Sequence, residues 1–392
     1  MLFQTLDDKK ECVAVFKDGE LIYGELPLDL SATWKYTSIL RDMPVEYASL
    51  YCGHGSLEEM CPEYLSEKWK AINNKLKSFL ISFRESKISL DDNCFFDLVP
   101  ERFLLEYCSL KNGITEYVFE NYNKPLNYNF LLELSVVLED IKYNKLNLNL
   151  NNMDLSSLAS RKQFKKINNS SKRISYDISG TKTGRLTTSK NSFPILTLNK
   201  EYRGIIEPNN NWLVELDFNA AELRTLLALL GKKQPKEDIH EWNAKNVYRG
   251  KLSRDEAKKR IFSWLYNPDS QDHLSSGEYD RESLLNKFWN GTHVHTMFNR
   301  EIESDKYHAL NYIIQSTSSD LFLKRMIEVH RLLENRKSFI SFSMHDSLVI
   351  DLSVEDKDIL NNICETFSQT DLGKYKINVS AGKNYAEMKK IL

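Results

Sequence analysis

The sequence contains no apolar run long enough to cross a bilayer, so a helical membrane protein is not expected. Its first residues, MLFQTLDDKKECVAVF, lack the basic-then-apolar order of a secretory signal, which points to a cytoplasmic location. None of the six cysteines (Cys12, Cys52, Cys61, Cys94, Cys108 and Cys364) forms a CxxC pair or a repeated spacing. That scatter excludes an evident zinc site or disulfide framework and favours reduced thiols. Net charge is also scarce: 53 basic and 55 acidic residues leave −2, so bulk charge announces no nucleic-acid partner. No internal repeat is evident. What is present is an ordinary globular composition, 41% hydrophobic and 28% charged, over 392 residues. That length allows two or three domains with real cores.

Local patterns say more. VAVFKDGELIYGEL sets two alternating runs around Asp18-Gly19, a hairpin signal. Helical periodicity covers 56–85, 98–121 and Tyr128 to about Tyr143. The stretch SRKQFKKINNSSKR, 160–173, has six Lys or Arg and no acid. A nucleic-acid contact and a solvated basic loop both fit it. RISYDISGTKTGRLTTSKNSFP reads as loop and short strand, 238–266 as helices and 268–292 as polar, turn-rich chain. Residues 305–335 read as one long helix, and FISFSMHDSLVIDL as two strands around a tight polar turn. One boundary, near 130–175, separates a helical N-terminal region from the remainder.

VELDFNAAELRTLLALL, starting at Val214, poses a chemical question. It puts Asp217 at the end of an apolar strand, where an unpaired charge is expensive, and then starts a helix bearing Glu222 and Arg224. A helix N-cap would explain Asp217 without function. Asp346, at the turn of SFSMHDSLVIDL, offers a second carboxylate. Two carboxylates on adjacent strands can hold two divalent cations for in-line phosphoryl transfer, and oxygen ligands with open positions suit Mg²⁺. In SRDEAKKRIFSWLYN, Arg254, Lys258, Phe262 and Tyr266 recur every four residues and share a helix face. Two cations suit a triphosphate, and rings can stack on a base or sugar. Core packing for the rings and a solvated face for the cations are the ordinary alternatives.

These segments resemble, in order along the chain, the polymerase domain of family A (polymerase I-like) DNA polymerases. TGRL at 183–186 resembles the template-primer contact, LDFNAAELR motif A, and DIH at 238–240 the segment ahead of the fingers helix. R-x3-K-x3-F-x3-Y matches motif B, NYIIQSTSSD the helix tracking primer-template, and HDSLV motif C. The resemblance covers roughly 170–390. It implies an α/β (α+β) right-hand fold: a mixed or antiparallel palm sheet, helical fingers, a shortened thumb, and a mostly α N-terminal region with a small β element. The implied activity is template-directed addition of dNTPs to a primer 3′-OH with two Mg²⁺ ions, for which Mn²⁺ may substitute. Asp217 and Asp346, with the Phe218 carbonyl, would bind the metals. Arg254, Lys258 and His240 would hold the triphosphate, Phe262 would face the deoxyribose and Tyr266 the templating base. Glu222 would be the steric gate against a ribose 2′-OH. Thr183, Arg185, Asn311, Gln315 and His345 would contact DNA, where minor-groove contacts test pair shape without reading sequence.

The sequence also departs from that family. Ser263 and Asn267 stand where Gly is usual, Ser347 stands where motif C usually has Glu, and Tyr307 replaces an Arg. Only 150–175 remains where two long thumb helices belong, too little at 1.5 Å per residue. No D-x-E lies within either strand of the hairpin at 13–25, where Asp18-Gly19-Glu20 is the turn. The expected division is therefore a reduced, non-catalytic region 1–130, a truncated thumb-like segment and basic linker 131–180, palm 181–231, fingers 232–304 and palm again 305–392. Primer-template DNA and dNTPs are the expected partners, with an accessory replication protein and a separate exonuclease. Such compactness suits a bacteriophage enzyme in its host's cytoplasm. The competing readings are a single-subunit RNA polymerase, a phosphohydrolase using His293, His295, His345 and Asp346, and an inactive DNA-binding replication factor.

Overall fold

Asp18 and Gly19 both adopt positive φ, 54° and 88°, as a two-residue hairpin loop requires. They join β2 (Ala14–Lys17) to β3 (Glu20–Tyr23), and β1 (Gln4–Thr5) completes a three-stranded sheet. This computed structural model describes residues 1–7, 13–53, 55–90, 92–190, 192–267 and 269–391. The chain divides into two units, Met1–Tyr143 and Asn144–Leu392. In the first, α1 (Glu63–Glu85), α2 (Glu101–Asn121) and α3 (Tyr128–Tyr143) follow the small sheet. Phe16, Trp69, Ile72, Phe103 and Val118 share one core there. Among the described residues no helix is long and apolar enough to cross a membrane.

Cysteine usage differs from expectation. Cys94 is disulfide-bonded, whereas Cys52, Cys61, Cys108 and Cys364 are free, and Cys12 lies outside the described residues. Sequence spacing could not reveal this, because a disulfide depends on spatial proximity. Cysteine content therefore gives no argument for a reducing compartment.

The second unit is built on a five-stranded antiparallel sheet. With the strands labelled along the chain, β6 (Trp212–Phe218) is central, between β10 (Ser347–Leu352) and β11 (Ile377–Gly382). The edges are β9 (Phe339–Met344) and β12 (Lys389–Lys390). Leu213, Val214, Leu216 and Phe218 are all buried, which is why a run with apolar residues on both faces occupies the centre. Two short strands precede it, β4 (Tyr176–Asp177) and β5 (Thr187–Thr188), and a small hairpin, β7 (His293–His295) with β8 (Glu301–Glu303), follows.

The helices of this unit begin with α4 (Leu158–Asn168) and α5 (Ala221–Leu229). Next come α6 (Ile239–Trp242), α7 (Arg254–Tyr266), α8 (His273–Glu278) and α9 (Arg281–Phe288). The long α10 (Lys306–Leu333) and α11 (Leu360–Ser368) complete the set. Leu223, Leu226, Ile261, Trp264, Leu284, Ile313 and Ile314 form a common core from α5, α7, α9 and α10.

Two local expectations need correction. Residues 158–168 are helical rather than linker, because Ser157 caps the Ser160 amide and Arg, Lys and Gln are good helix formers. The polar chain after Pro268, itself outside the described residues, is also helical. Asp272 and Asp280 cap α8 and α9, and Leu284 and Leu285 are buried.

Candidate active site

The two carboxylates meet through strand register. Asp217, next to last in β6, lies opposite Ser347 of β10 and Asn378 of β11. Asp346 immediately precedes Ser347, in a tight turn where His345 takes φ 54°. The two acids therefore come from neighbouring strands, at the same end of the sheet. Asp217 does not cap α5: the N-cap position is Ala220, with φ 51° and no side-chain cap bond. Burial pushes the Asp217 carboxyl up to about 6; the Asn378 amide, 3.3 Å away, opposes this, while Glu215 and Asp346 reinforce it. Burial also raises Asp346, against the pull of Arg185 and His345.

Glu222, in the first turn of α5, closes the group. Its carboxylate accepts from Arg185 Nη2 at 2.6 Å and from the Tyr266 hydroxyl. Burial raises its pKa, and the Arg185 charge opposes that rise. Arg185 therefore sits between two acids, bonded to Glu222 and lowering the pKa of Asp346.

A single helix face presents the expected stripe. Ser253 and Glu256 form a capping box that starts α7 at Arg254. Arg254 pairs with Asp238 at 3.0 Å and Asp255 at 3.1 Å. Lys258, one turn on, is exposed and has no carboxylate partner among the described residues, yet its charge reaches Asp217. Phe262 and Tyr266 stack at 5.9 Å with planes 4° apart. Phe262 also packs against the helical core, but Tyr266 is 37% exposed, so core packing accounts for one ring only. His240 lies 5.7 Å from Phe262, ring to ring. Burial pulls its pKa down to about 4, against the attraction of Asp238, so the imidazole is neutral near pH 7.

Buried Arg224 holds the loop before α6. Its guanidinium donates to the Asn219 carbonyl (2.7 Å) and side-chain oxygen (2.9 Å), and to the carbonyls of Pro235 (2.8 Å) and Glu237 (2.9 Å). Asn219 in turn donates to Asp238 at 2.8 Å. The end of β6 is thereby tied to the segment that carries His240 and the Arg254 partner.

Arg185 belongs to a tight turn. Thr181 donates its hydroxyl to the Arg185 carbonyl at 2.9 Å, and Gly184 takes φ 76°. A Cβ on Gly184 would lie 2.4 Å from the guanidinium of Arg300, which is fixed by Asp320 through bonds of 2.6 and 3.1 Å. Asp320 is fully buried in α10.

No protein-family model matches the sequence. Among curated proteins, the nucleomorph tubulin gamma chain of Guillardia theta is 24% identical over 268 residues, 65% of this chain. The chain spans 58% of that protein's length, and this identity does not establish a family. Among solved structures, the POL domain of Pol1 from M. smegmatis, in complex with DNA primer-template and dNTP, matches with a TM-score of 0.64. The match has 10% identity and covers 91% of this chain and 86% of that one. The fold is that of a polymerase domain.

Asp217 and Asp346 thus lie at one end of the sheet, and Arg254, Lys258, Phe262 and Tyr266 on α7. Glu222 and Arg185 link the two through Tyr266. Phe218 turns its ring onto Phe367, 4.5 Å away, so any part it plays at the site falls to its main chain. Thr183 is buried, His345 is exposed at the turn, and Asn311 and Gln315 stand one turn apart on α10. Among the described residues no hydrogen bond joins Thr183, Asn311 or Gln315 to the acidic group; the Asn311 side-chain oxygen is buried without a partner. His293 and His295 share a face of β7, but their hydrogen bonds go to Thr292 and Asn290, not to further metal-ligand groups.

Several residues here were given no role from the sequence: Glu215, Asn378, Asp238, Arg300 and Asp320. Asp238 precedes a helix and had a capping signal. Glu215 alternates with Asp217 along a strand and so shares its face. Arg300 and Asp320 are 20 residues apart and had no signal. No group of three or more His, Cys, Asp or Glu among the described residues is set to cage a metal. Two desolvated, mutually repelling carboxylates nevertheless fit Mg²⁺, which keeps water and substrate oxygens as its other ligands.

Proposed function

We propose that this chain is a DNA-directed DNA polymerase that extends a primer 3′-OH with dNTPs. The observation that carries this reading is the meeting of Asp217 and Asp346 before a helix face bearing Lys258 and Tyr266, with Glu222 between them. Asp217 and Asp346 would hold two Mg²⁺ ions, which when bound supply charge neutralisation and a lowered pKa at the primer hydroxyl. Lys258 is free to meet phosphate oxygens, and Arg254 can exchange its surface pairing with Asp238 and Asp255 for a triphosphate. Neutral His240 adds a hydrogen bond rather than a charge. Glu222, fixed by Arg185 and Tyr266, would exclude a 2′-hydroxyl by occupying its place. Arg185 and Gln315 would touch the primer-template, with Thr183, Asn311 and His345 alongside.

Residues 181–231 and 305–392 would serve as palm and 232–304 as fingers. Primer extension with Mg²⁺ and either dNTPs or rNTPs tests the reading. Extension is expected with dNTPs alone, abolished by Asp217→Asn and opened toward rNTPs by Glu222→Ala. Efficient extension with rNTPs by the unaltered protein would overturn it in favour of an RNA polymerase.

A further inference from the structure

Helix α4 carries Lys162, Lys165 and Lys166, all exposed and at spacings of three and four residues. Such residues are neighbours on a helix surface, and like charges so placed destabilise it. No acid occurs anywhere in 155–176 to relieve them. Some lysines elsewhere in this unit sit on carboxylates, Lys337 on Glu355 and Lys374 on Glu365 among them, whereas Lys258 does not. The three lysines of α4 have no carboxylate partner among the described residues. Arg161, also exposed, donates to the Leu155 carbonyl at 2.8 Å, just ahead of the helix. The opposite face is docked, with Ile167 and Ser160 buried. The helix therefore presents uncompensated positive charge, with Leu158 of its first turn the one large apolar side chain of the helix exposed beside it.

Its placement is also constrained. Tyr176, eight residues beyond Asn168, bonds Ser343 on both sides: its hydroxyl donates to the carbonyl at 2.5 Å and accepts from the amide at 2.9 Å. Ser343 lies three residues before Asp346. Eight extended residues reach at most roughly 27 Å. At about 3.4 Å per phosphate step along one strand, that is on the order of eight nucleotides.

We propose that Lys162, Lys165 and Lys166 bind the phosphate backbone of the duplex arm of a primer-template, within roughly 14 nucleotides of the candidate active site once the helix back to Lys162 and the strand on to Asp346 are added. This rests on the polymerase reading. It assigns to one short basic helix the grip on duplex that two long helices would otherwise provide. The contact is electrostatic and sequence-independent, so its signature is salt dependence.

The test uses the full chain, with anisotropy of a fluorescent primed duplex measured across KCl concentrations. The variant is Lys162→Ala/Lys165→Ala/Lys166→Ala, in which alanine favours helix and so preserves the fold. The slope of log K against log salt should fall by about two to three, since each phosphate contact contributes about 0.9. Products made in one binding event, with a heparin trap, should shorten. A slope unchanged to within about half a contact would overturn the proposal. So would an equal loss from Lys68→Ala/Lys77→Ala in α1, because bulk charge would then explain binding. Tighter binding to phosphatidylserine vesicles than to DNA, lost in the variant, would likewise replace it with a membrane contact. A protein that never extends primers but shows the slope change keeps this inference and loses the polymerase reading. Extension with an unmoved slope does the reverse.

Discussion

Gly184→Ala tests whether Arg300 is a rigid floor beneath the turn that carries Arg185. At φ 76° an alanine costs about 1 kcal/mol, the usual penalty for a left-handed residue with a Cβ. The new methyl would also lie 2.4 Å from an Arg300 nitrogen, so the guanidinium must move. A surface arginine would swing aside at little expense. Arg300 is 9% exposed and held by two bonds to Asp320, which has no exposure at all. Breaking a buried pair and leaving one charge uncompensated costs about 3–5 kcal/mol. Partial retention of the pair reduces this, so a total of about 2–5 kcal/mol is expected, a large share of typical domain stability. Gly231→Ala is the matched control, with φ 70° and nothing within 4 Å of its Cβ. It should lose about 1 kcal/mol only. Urea denaturation followed by fluorescence compares the two. Equal losses from both variants would refute the rigid-floor argument and show that Arg300 yields freely.

The acid at the end of β6 gives a pH prediction. Folding raises the Asp217 pKa to about 6 from 3.8, so the folded state binds its proton more tightly and loses stability as pH rises between those values. In EDTA at pH 7.5, Asp217→Asn should therefore be more stable than the parent by about 1–2 kcal/mol and its Tm should vary less from pH 4 to 7; a less stable variant would refute this. Glu222→Ala should lower discrimination against rNTPs by about 10- to 100-fold in kcat/KM ratios, whereas Glu222→Gln, similar in shape, should retain most of it. With His240 held near 4, KM for dNTP should show no step between pH 5.5 and 7.5 that His240→Gln removes.

Much of the architecture was legible where one residue type controls local geometry. Asp18-Gly19 specified a hairpin because both positions need positive φ. The apolar run before Asp217 specified a central strand, and the four-residue repeat from Arg254 specified one helix face. Helix α4 was missed because its lysines mask a narrow docked face, Ser160 and Ile167, that shows no apolar stripe. Helices α8 and α9 were missed because each is too short, six and eight residues, for its few apolar positions to show a helical period among the polar ones. The Arg300–Asp320 pair and the Cys94 disulfide depend on long-range proximity, which spacing does not encode.

Ser347 shows how the structure changes the meaning of a departure seen in sequence. Read alone, it is an acid lost beside Asp346. In the sheet its hydroxyl donates to Glu215 at 3.1 Å, and Tyr385 donates to the same oxygen at 3.1 Å. Glu215 shares a strand face with Asp217 and raises its pKa through charge. A third carboxylate thus stands one strand away, aimed through Ser347. If it contributes to cation affinity, Glu215→Ser should raise the Mg²⁺ concentration needed for half-maximal thermal stabilisation by about tenfold, roughly 1.4 kcal/mol. Adding Ser347→Glu should then recover most of that loss, because the carboxylate returns from the neighbouring strand. Loss without recovery would assign Glu215 a packing role with Tyr385, and no loss would leave Asp217 and Asp346 as the whole of the acidic set.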